Sequence, residues 1–358
     1  MPHFKPDDAK RFVNDAFKAA GANGKAARIM ADTLVWASLR GIESHGLTRT
    51  HVYLKRIEAG VADKNAEPEI LKSCGNALLI DAHNALGQYA SMFAVEKVCG
   101  RAEESGIAMA AVLNSNHFGT AGFYTNEIAK RGMIGICGSD SSKAMVLFGA
   151  AKPFLGTNPL SYAVPAGKYP PIILDMATSV VARGKIRRAL DSGRKIPLGW
   201  AVGPDGKATD NPVEAYKGYV LPFGGPKGSG VALFVEILSS VLSGAAASAE
   251  AGSLYNDYDR PQGIGHFFIA IDPAHFIGRE AFAKRMEQLV EEVKALPASD
   301  GGEVFLPGEI EHRKELENLA EGVFAAPDMM PNLAKIAEKY SVPLPEEIWQ
   351  KRQGGRIG

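Results

Sequence analysis

The stretch Ile107-Ala108-Met109-Ala110-Ala111-Val112-Leu113 leads directly into Asn114-Ser115-Asn116-His117-Phe118-Gly119. A short continuous apolar run of this kind is typical of a buried strand. A second apolar run, residues 133–138, ends in Ser139-Asp140-Ser141-Ser142 in the same manner. We therefore expect two strands to deliver hydroxyls and an imidazole to one edge of a sheet, although a lone histidine is often structural.

Helical patterns dominate both ends of the chain. Apolar residues recur every three or four positions over residues 7–20, 25–39 and 45–60, which predicts three amphipathic helices before any strand. Residues 309–321 and 333–340 return to a helical pattern after a middle region that mixes strands and helices. This distribution fits an α+β protein of mixed α/β content, and 358 residues are enough for two hydrophobic cores.

The charge balance disfavours polyanionic partners. Lys plus Arg and Asp plus Glu number 40 each, so no net field attracts nucleic acid or a charged membrane. The three cysteines form no CxxC pair, which disfavours a disulfide framework or a thiolate zinc site. The N-terminus is polar and no apolar run reaches about 18 residues. We expect a cytoplasmic protein without a membrane segment.

Several common site motifs are missing from the sequence. No GxGxxG follows a strand and opens a helix, and no GxxxxGK[ST] loop occurs, which disfavours a standard Rossmann or P-loop site. No HExxH, GxSxG or metal-spaced cluster occurs among the eight histidines. We therefore expect no bound metal and neither zinc-hydrolase nor serine-hydrolase chemistry.

The segment Arg40-Gly41-Ile42-Glu43-Ser44-His45-Gly46-Leu47-Thr48-Arg49 places a proton carrier near a fixed cation. If a helix begins near His45, then His45, Arg49 and Tyr53 lie on one face at i, i+4 and i+8. A guanidinium can bind a carboxylate through two hydrogen bonds while the imidazole exchanges a proton with the neighbouring oxygen. The same spacing also fits a solvated helix face.

The glycine-rich segment Gly224-Gly225-Pro226-Lys227-Gly228-Ser229-Gly230 precedes an apolar helix that is predicted to begin near Ser229. Backbone amides at a helix N-terminus, together with the charge of Lys227, can hold a phosphate or pyrophosphate. A tight helix entry with a solvent-facing lysine is the alternative.

Polar turns follow other predicted strands. Thr157 and Asn158 can orient a bound oxygen or can form a turn only. Residues 175–179 end a strand with polar groups whose backbone can approach a ligand, and residues 199–215 are predicted to be a loop. His266 has a weaker context than His45 or His117.

Six motifs together resemble a known family. They are Ser44-His45-Gly46 with Arg49, Asn114-Ser115-Asn116-His117-Phe118-Gly119, Gly156-Thr157-Asn158-Pro159, Leu174-Asp175-Met176-Ala177-Thr178-Ser179, Gly224-Gly225 with Lys227-Gly228, and Pro307-Gly308-Glu309. In this order they are similar to the malate/L-lactate dehydrogenase type 2 family, over about residues 9–340. Its members act on malate, lactate, sulfolactate, ureidoglycolate, 2,3-diketogulonate or cyclic imino acids such as piperideine-2-carboxylate. These substrates share a carboxylate beside a carbonyl, hydroxyl or imine carbon.

The resemblance implies an architecture. We expect a non-Rossmann cofactor domain with a largely antiparallel sheet over residues 69–308, and a helical domain built from residues 1–68 and 309–358. The resemblance also implies a homodimer with active sites near the subunit interface. A non-Rossmann cofactor domain explains the missing GxGxxG.

The resemblance implies roles for individual residues as well. His45 and His117 match two histidines with acid/base or substrate-orienting roles, and Arg49 matches the carboxylate clamp. Which histidine donates the proton stays open. Further substrate contacts are expected from Ser44, Thr157 and Asn158. The positions that match cofactor contacts are Ser141, Asp175, Met176, Ala177, Thr178, Ser179, Lys227, Gly228, Gly308 and Glu309.

The expected activity is hydride transfer between NAD or NADP and a small 2-oxo, 2-hydroxy or cyclic 2-imino acid. Pro226 and Ser229 stand where the family usually has aromatic residues, Asp140 replaces a common asparagine, and Gly203 replaces a frequent acidic residue. These departures leave the cofactor preference, the acid and the physiological direction open. They also sustain the alternative of a catalytically silent ligand-binding protein on the same fold.

Overall fold

The computed structural model describes residues 2–247 and 250–349. Among these residues the α-helices are, in chain order, α1 (Pro6–Ala19), α2 (Gly24–Leu39), α3 (Thr50–Glu58), α4 (Gly87–Ser105), α5 (Ala121–Ala129), α6 (Arg183–Asp191), α7 (Pro212–Lys217), α8 (Pro226–Glu236), α9 (Arg279–Lys294), α10 (Glu309–Glu321) and α11 (Met330–Tyr340). The strands are β1 (Pro2–Phe4), β2 (Glu69–Cys74), β3 (Ala77–Asp81), β4 (Ile107–Ser115), β5 (Ile134–Ser139), β6 (Met145–Val146), β7 (Pro153–Leu155), β8 (Leu160–Ala166), β9 (Tyr169–Met176), β10 (Ala201–Val202), β11 (Tyr219–Val220), β12 (Ile264–Ile271), β13 (Val323–Phe324) and β14 (Glu347–Trp349). Two 3₁₀ turns, Glu43–His45 and Leu47–Arg49, precede α3, and a π-helical segment, Ile237–Val241, follows α8.

The described residues form two compact units. Residues 2–58 with 309–349 make up the first unit, and residues 59–247 with 250–308 make up the second. The first unit is mostly helical and is built from both ends of the chain, while the second contains the larger sheets, so the predicted α+β class is confirmed. The predicted domain boundary after residue 68 stays a prediction. In these residue ranges no helix combines the length and the apolar character that crossing a membrane requires.

In the first unit, α10 holds the end of α2. Arg40 is only 6% exposed, pairs with Glu315 at 2.7 Å and lies over the ring of Trp36. Asn318 donates from Nδ2 to the carbonyl of Leu39 at 2.8 Å, which satisfies one of the acceptors that a helix leaves unpaired at its C-terminus. Strand β1 pairs antiparallel with both β13 and β14. The two chain ends therefore share one folded unit.

The second unit is organised by a seven-stranded sheet with the order β2-β3-β4-β12-β5-β8-β9. Only β3 and β4 pair in parallel, and every other neighbouring pair in this sheet is antiparallel. The expected largely antiparallel sheet is confirmed. A smaller sheet, β10-β11-β6-β7, packs with α6 and α8 around a separate apolar cluster that includes Met145, Leu155 and Ile186.

Strand β12 lies at the centre of the large sheet, and its successive residues face opposite layers. A Cβ on Gly265 would lie 2.0 Å from the carbonyl oxygen of Ser239, so the π-helical segment packs directly on one face. His266 points to the other face, where its ring stacks on Phe118, which in turn stacks on Tyr124 of α5. Helix α4 packs on β4 and β12, and α5 packs on β5 and β8.

The predicted helix from residue 45 does not form as expected. Helix α3 begins only after Arg49, because Gly46 has non-helical angles of φ −92° and ψ −146°. A Cβ on Gly46 would lie 2.0 Å from Ser38 Oγ, so the chain turns away to pack on α2. The predicted common helical face of His45, Arg49 and Tyr53 is therefore wrong.

Three other predicted extents are also wrong. Strand β1 precedes the N-terminal helices, and the predicted loop over residues 199–215 contains β10 and the start of α7. Strands this short carry no periodic signal and form because distant partners pair with them. Helix α8 begins at Pro226 rather than near Ser229, because the fixed φ of proline suits the first helical position.

Helix α4 offers a matched pair of glycines for testing how closely the loop after β4 is packed. A Cβ on Gly87 would lie 2.0 Å from the carbonyl oxygen of Asn116 and 2.6 Å from that of His117, whereas a Cβ on Gly100 would meet nothing within 4 Å. We expect Gly87→Ala to cost about 1–3 kcal/mol of unfolding free energy through overpacking. Gly100→Ala should be neutral or stabilising by up to about 1 kcal/mol. Urea unfolding followed by circular dichroism measures both, and equal effects would contradict the close packing.

Candidate functional site

One end of the seven-stranded sheet gathers several predicted site segments. Strands β4 and β5 both run antiparallel to β12, so their last residues, Ser115 and Ser139, lie at the end where β12 begins. Strand β9 runs in the same direction as β5, because each is antiparallel to β8, which brings Met176 to this end as well. The predicted meeting of the two polar strand ends is therefore confirmed.

His117 follows β4 in a loop that hydrogen bonds hold in place. Its backbone N–H donates to Gln262 Oε1 at 3.0 Å, and its Nδ1 accepts from the N–H of Gly119 at 3.3 Å. The buried Asn116 side chain donates to the carbonyl of Ala85 at 2.9 Å. Because Nδ1 accepts a hydrogen bond, the neutral ring carries its proton on Nε2. His117 is thus an oriented, half-buried donor.

Ser141, Thr157 and Thr178 come together at the same end of the sheet. Ser141 Oγ accepts from the N–H of Thr157 at 3.1 Å. The carbonyl of Thr157 accepts from the N–H of Thr178 at 2.8 Å and from its Oγ1 at 3.0 Å. A Cβ on Gly156 would lie 2.1 Å from Ser141 Oγ, so only glycine permits this approach. Three segments distant in sequence thereby form one hydrogen-bonded surface.

Asn158 ties this surface to α8. It is fully buried, has a φ of 29°, and donates from Nδ2 to Glu236 Oε2 at 2.8 Å and to the carbonyl of Ala232 at 3.2 Å. Its amide therefore has a structural use, and its contact with a substrate stays a prediction.

Asp140 and Glu236 are two carboxyl groups buried on the face of the sheet that α8 covers, 1% and 3% exposed. Asp140 Oδ1 accepts from the N–H of Gly265 at 2.7 Å, while Oδ2 has no hydrogen-bond partner in the described part of the chain. Burial and the neighbouring Glu236 raise the pKa of Asp140 well above its usual range. A protonated carboxyl presents a donor beside an acceptor, and the amide of an asparagine side chain also presents both kinds of group. This similarity gives a physical reason why Asp140 can replace an asparagine.

The segment that ends β9 makes mainly internal hydrogen bonds. Asp175 Oδ2 accepts from the N–H of Gly122 at 2.8 Å, at the N-terminus of α5, where the helix dipole favours a carboxylate. The hydroxyl of Ser179 donates to a backbone carbonyl two residues further on. Met176 and Ala177 are half-buried beside them. Cofactor contacts of this segment stay a prediction.

The start of α8 is suited to an anion. Gly225, with a φ of 62°, precedes Pro226, no side chain caps the helix, and its first turn contains no acidic residue. Lys227 is exposed at the second helical position. A Cβ on Gly228 would lie 1.8 Å from the carbonyl oxygen of Phe223, so glycine is required there. Backbone amides and a lysine can therefore face a phosphate group.

Gly308 ends the second unit, and Glu309 begins α10 in the first. Gly308 has a φ of 82°, and a Cβ there would lie 2.7 Å from the carbonyl oxygen of Ile173. Glu309 Oε1 accepts from Arg313 at 2.6 Å. Both residues have structural uses, and their contacts with a cofactor stay predictions.

In the first unit, His45 and Arg49 lie on the two successive 3₁₀ turns. His45 Nδ1 is 2.9 Å from Ser44 Oγ, and Arg49 donates from Nε to the carbonyl of Ser44. Thr48 Oγ1 donates to the carbonyl of Glu43 at 2.6 Å and closes the turn. Ser44 thus contacts both the imidazole and the guanidinium.

The electrostatics of this turn favour an uncharged imidazole. Burial lowers the pKa of His45 to about 4, and the positive charge of Arg49 adds to the effect. Glu43 lies two residues earlier, and burial raises its pKa to about 7; its Oε2 has no hydrogen-bond partner within the residues described. Nothing in the sequence marks Glu43 as a site residue, because only the folded structure shows its partial burial.

The predicted site residues divide between the two units. Ser44, His45, Arg49 and Glu309 belong to the first unit, and the remaining ones belong to the second. Within the second unit, the loops that carry His117, Ser141, Asn158 and Thr178 share one end of the sheet. No group of three or more histidine, cysteine or acidic side chains suited to a metal ion occurs in residues 2–247 and 250–349.

Replacing Arg49 should change the proton affinity of His45. Arg49→Gln removes a neighbouring positive charge and should raise the pKa of His45, whereas Arg49→Lys keeps the charge and should leave it nearly unchanged. Because burial is the larger cause, the pKa in Arg49→Gln should still lie below 6.5. NMR titration of the imidazole resonances, assigned with His45→Asn, measures the shift. Identical titration curves in wild type and Arg49→Gln would show that the charge of Arg49 does not change the pKa of His45.

Asp140→Asn should change how stability depends on pH. An acid whose pKa is raised by folding must take up a proton to fold above its usual pKa of 3.8, so wild-type stability falls as pH rises beyond that value. The variant lacks this loss and should gain stability relative to wild type between about pH 4 and pH 8. Urea unfolding across this range measures the difference.

Asp272→Asn is the matched control with the opposite sign. Hydrogen bonding to Arg279 lowers the pKa of Asp272, so its stabilising contribution is present above 3.8 and is lost as pH falls through the lowered pKa. The free energy of unfolding of this variant should therefore lie below that of wild type by a constant amount from about pH 5 to pH 8. A constant difference for Asp140→Asn as well would mean that Asp140 is ionised in the folded protein.

Comparison with known proteins gives the same family from sequence and from structure. Residues 4–334 match the malate/L-lactate dehydrogenase family. The L-sulfolactate dehydrogenase of Methanocaldococcus jannaschii is 38% identical over 313 residues, which cover 87% of this chain and 90% of that protein. The ureidoglycolate dehydrogenase (NAD(+)) of Escherichia coli O157:H7 is 32% identical over 89% of this chain and 91% of its own length. The (2R)-3-sulfolactate dehydrogenase (NADP(+)) of Chromohalobacter salexigens is 33% identical over 85% and 89%.

Solved structures share the whole fold. The sulfolactate dehydrogenase from Methanocaldococcus jannaschii superposes with a TM-score of 0.90 at 35% identity and covers 96% of this chain and 98% of that one. The Δ1-piperideine-2-carboxylate reductase from Pseudomonas syringae superposes with a TM-score of 0.86 at 28% identity, covering 94% and 100%. This chain belongs to the malate/L-lactate dehydrogenase family.

Proposed function

We propose that this chain is an oxidoreductase that transfers a hydride between NAD(P)H and a small acid. The acid is a 2-oxo or 2-hydroxy acid, or a cyclic 2-imino acid. The observation that carries the proposal is the tight turn that holds an uncharged imidazole, His45, beside the guanidinium of Arg49. The relatives support it, because sulfolactate, ureidoglycolate and piperideine-2-carboxylate all place a carboxylate beside the reacting carbon.

Arg49 binds the substrate carboxylate in this proposal. A guanidinium presents two parallel N–H donors that match the two oxygens of a carboxylate. The Nε of Arg49 already donates to the carbonyl of Ser44, which fixes the plane of the group. A carboxylate held in this way fixes the position of the neighbouring carbon, and such ordering is worth several kcal/mol of the barrier.

His45 or His117 carries the proton. During oxidation a neutral imidazole accepts the proton of the 2-hydroxyl group, and during reduction the protonated ring returns it to the carbonyl oxygen or the imine nitrogen. Such acid–base help is worth about 10²–10⁴ in rate. A bound carboxylate offsets the charge of Arg49, so substrate binding should raise the pKa of His45 and favour its protonated form.

The second unit offers the groups that hold a dinucleotide. The uncapped N-terminus of α8 and Lys227 suit a diphosphate, and the surface formed by Ser141, Thr157 and Thr178 offers backbone and hydroxyl groups nearby in the fold. The bound nicotinamide supplies the hydride, while the protein orients the reactants and excludes water. The named relatives include NAD(+) and NADP(+) enzymes, so the proposal covers both cofactors.

An apolar stripe along α8 supports a homodimer. Leu233, Phe234, Ile237 and Val241 are 39%, 57%, 44% and 64% exposed, although all are large and apolar. Their spacing places them on one side of the helix and of the π-helical segment that continues it. Exposed apolar patches of this kind are typical of protein interfaces. We propose that a second copy of the chain covers this stripe.

Substitutions of Arg49, His45 and His117 test these roles directly. Arg49→Lys keeps the charge but loses the bidentate hydrogen bonding to the carboxylate. It should therefore raise the KM for the acid roughly 10- to 100-fold with little change in kcat. Of His45→Asn and His117→Asn, the one that removes the proton carrier should lower kcat by about 10²–10⁴. Absorbance of the reduced nicotinamide, followed with a panel of 2-oxo and cyclic imino acids, measures both quantities.

His51→Asn is the matched control for the histidine variants. His51 lies on α3, six residues after His45, and its removal should leave the kinetics unchanged. Wild-type turnover in both His45→Asn and His117→Asn would contradict the mechanism. Binding of the reduced cofactor can be measured by quenching of Trp36 or Trp200 fluorescence. If the wild-type protein binds the cofactor but turns over no acid, the chain is a catalytically silent binding protein.

A further inference from the structure

His266 lies between the two loops that carry His117 and Ser141 without belonging to either. It is the third residue of the central strand β12 and is fully buried. Its register partners are Val112 on β4 and Ser139 on β5. The side chain is therefore placed where both neighbouring strands end.

Both ring nitrogens of His266 reach serine hydroxyls. Nδ1 lies 2.9 Å from Ser139 Oγ, and Nε2 lies 2.9 Å from Ser115 Oγ. The ring also stacks on Phe118 with a centroid separation of 4.5 Å and an interplanar angle of 1°. Ser115 and Phe118 flank the Asn116–His117 pair, so one imidazole contacts both sides of that loop as well as the start of the other.

The side-chain bonds occur where the backbone ladder is irregular. Ile264 pairs with Ser115, but His266 pairs with Val112, so two residues of β4, Leu113 and Asn114, lie opposite the single residue Gly265 of β12. One of them, Asn114, has a positive φ of 54°. A bulge of this kind re-aims the end of a strand at the expense of ladder hydrogen bonds. The hydrogen bond between His266 and Ser115 connects the end of β4 to β12 across the bulge.

The hydrogen bonds also fix which nitrogen of His266 carries the proton. Ser139 has one hydroxyl proton, and it donates that proton to the carbonyl of Asp140 at 2.7 Å or to that of Gly265 at 3.2 Å. Ser139 must then accept from His266 Nδ1–H. A neutral ring protonated on Nδ1 accepts at Nε2, so Ser115 donates there at 2.9 Å rather than to the carbonyl of Asn116, which lies 3.5 Å from its Oγ.

We propose that His266 is a positioning residue that couples the His117 loop to the Ser141 loop. This inference rests on the proposed function, in which the first loop serves the acid and the second serves the cofactor. Burial lowers the pKa of His266 to about 3, which keeps the ring neutral and the direction of the hydrogen bonds fixed. One buried ring thus sets the positions of the substrate side and the cofactor side together.

The tautomer is tested on the wild-type protein. Nitrogen-15 NMR correlation of the histidine rings, with His266 assigned by substitution, should show a proton on Nδ1 and none on Nε2 from pH 5 to pH 8. A ring protonated on Nε2, or on both nitrogens in this range, would overturn the assigned network. This measurement does not depend on the protein having the proposed activity.

Three substitutions test the coupling. His266→Phe keeps a flat ring on Phe118 but removes both nitrogens, so it should impair both kcat and the KM for the cofactor, each about tenfold or more. Ser139→Ala should raise mainly the cofactor KM, and Ser115→Ala should affect mainly kcat or the KM for the acid. Adding either alanine to His266→Phe should have no further effect, because the bond is already lost. Unchanged kinetic constants in His266→Phe would overturn the proposal.

Thr125→Val is the matched structural control. It removes a buried hydrogen bond of 2.7 Å between Thr125 on α5 and Ser161 on β8, and neither residue belongs to either loop. It should lower the melting temperature without changing kcat or either KM. A kinetic defect in Thr125→Val similar to that in His266→Phe would reduce His266 to a purely structural residue and overturn the coupling.

Hydrogen exchange separates failure of this inference from failure of the proposed function. If the wild-type protein turns over no acid, the proposed function fails, and the coupling is still tested by amide exchange. His266→Phe should then raise exchange in residues 114–119 and 139–142 together, and Thr125→Val should not. A rise in only one of the two segments would overturn the coupling. If His266→Phe does not fold, the two serine variants and the wild-type tautomer decide the question.

Discussion

The antiparallel pairing of β12 with both β4 and β5 is the constraint on which the second unit depends. It makes β4 and β5 run in the same direction, so two polar loops that are far apart in sequence end side by side. Within β12, the missing side chain of Gly265 admits the carbonyl of Ser239 on one face. On the other face, His266 satisfies the buried hydroxyls of Ser115 and Ser139. A strand end buried without such partners would leave polar groups unsatisfied, at a cost of about 1–3 kcal/mol each.

Much of this fold is predictable from local patterns, and the exceptions have tertiary causes. The apolar strands before His117 and Ser141 appear as expected, because a continuous apolar run determines each of them locally. The helix expected from residue 45 is interrupted at Gly46, because that glycine packs against Ser38 on the preceding helix. Strand β1 could not be predicted, because its partners lie more than 300 residues away in the chain.

The sequence suggests residue types for the candidate site but not its electrostatics. Motifs in the sequence single out His45, Arg49 and His117 as candidates, whereas the altered pKa values of Glu43 and Asp140 depend on burial and on charges contributed by other segments. His266 had a weak local context, since its importance comes from serines at the ends of two other strands. For Asp140 the sequence does contain a signal. The resembled family commonly has an asparagine at this position, so the departure singles out this side chain.

Groups whose charged form is disfavoured recur near these loops and turns. His45 and His266 have lowered pKa values and Asp140 has a raised one, in each case mainly because burial disfavours the charged form. On the proposed function, Arg49 is the fixed charge beside a neutral His45, and a bound carboxylate balances it. Binding of the acid then raises the pKa of the imidazole, so the ring takes up its proton when the substrate is bound.

The most direct measurement is the fate of deuterium placed at C4 of the reduced nicotinamide, on each face of the ring in turn. Direct hydride transfer predicts that one of the two labelled cofactors gives a product with a single deuterium at C2, retained in ordinary water and visible by mass spectrometry. Product without deuterium from both labelled cofactors, or no turnover of any 2-oxo or cyclic imino acid, would contradict the proposed reaction.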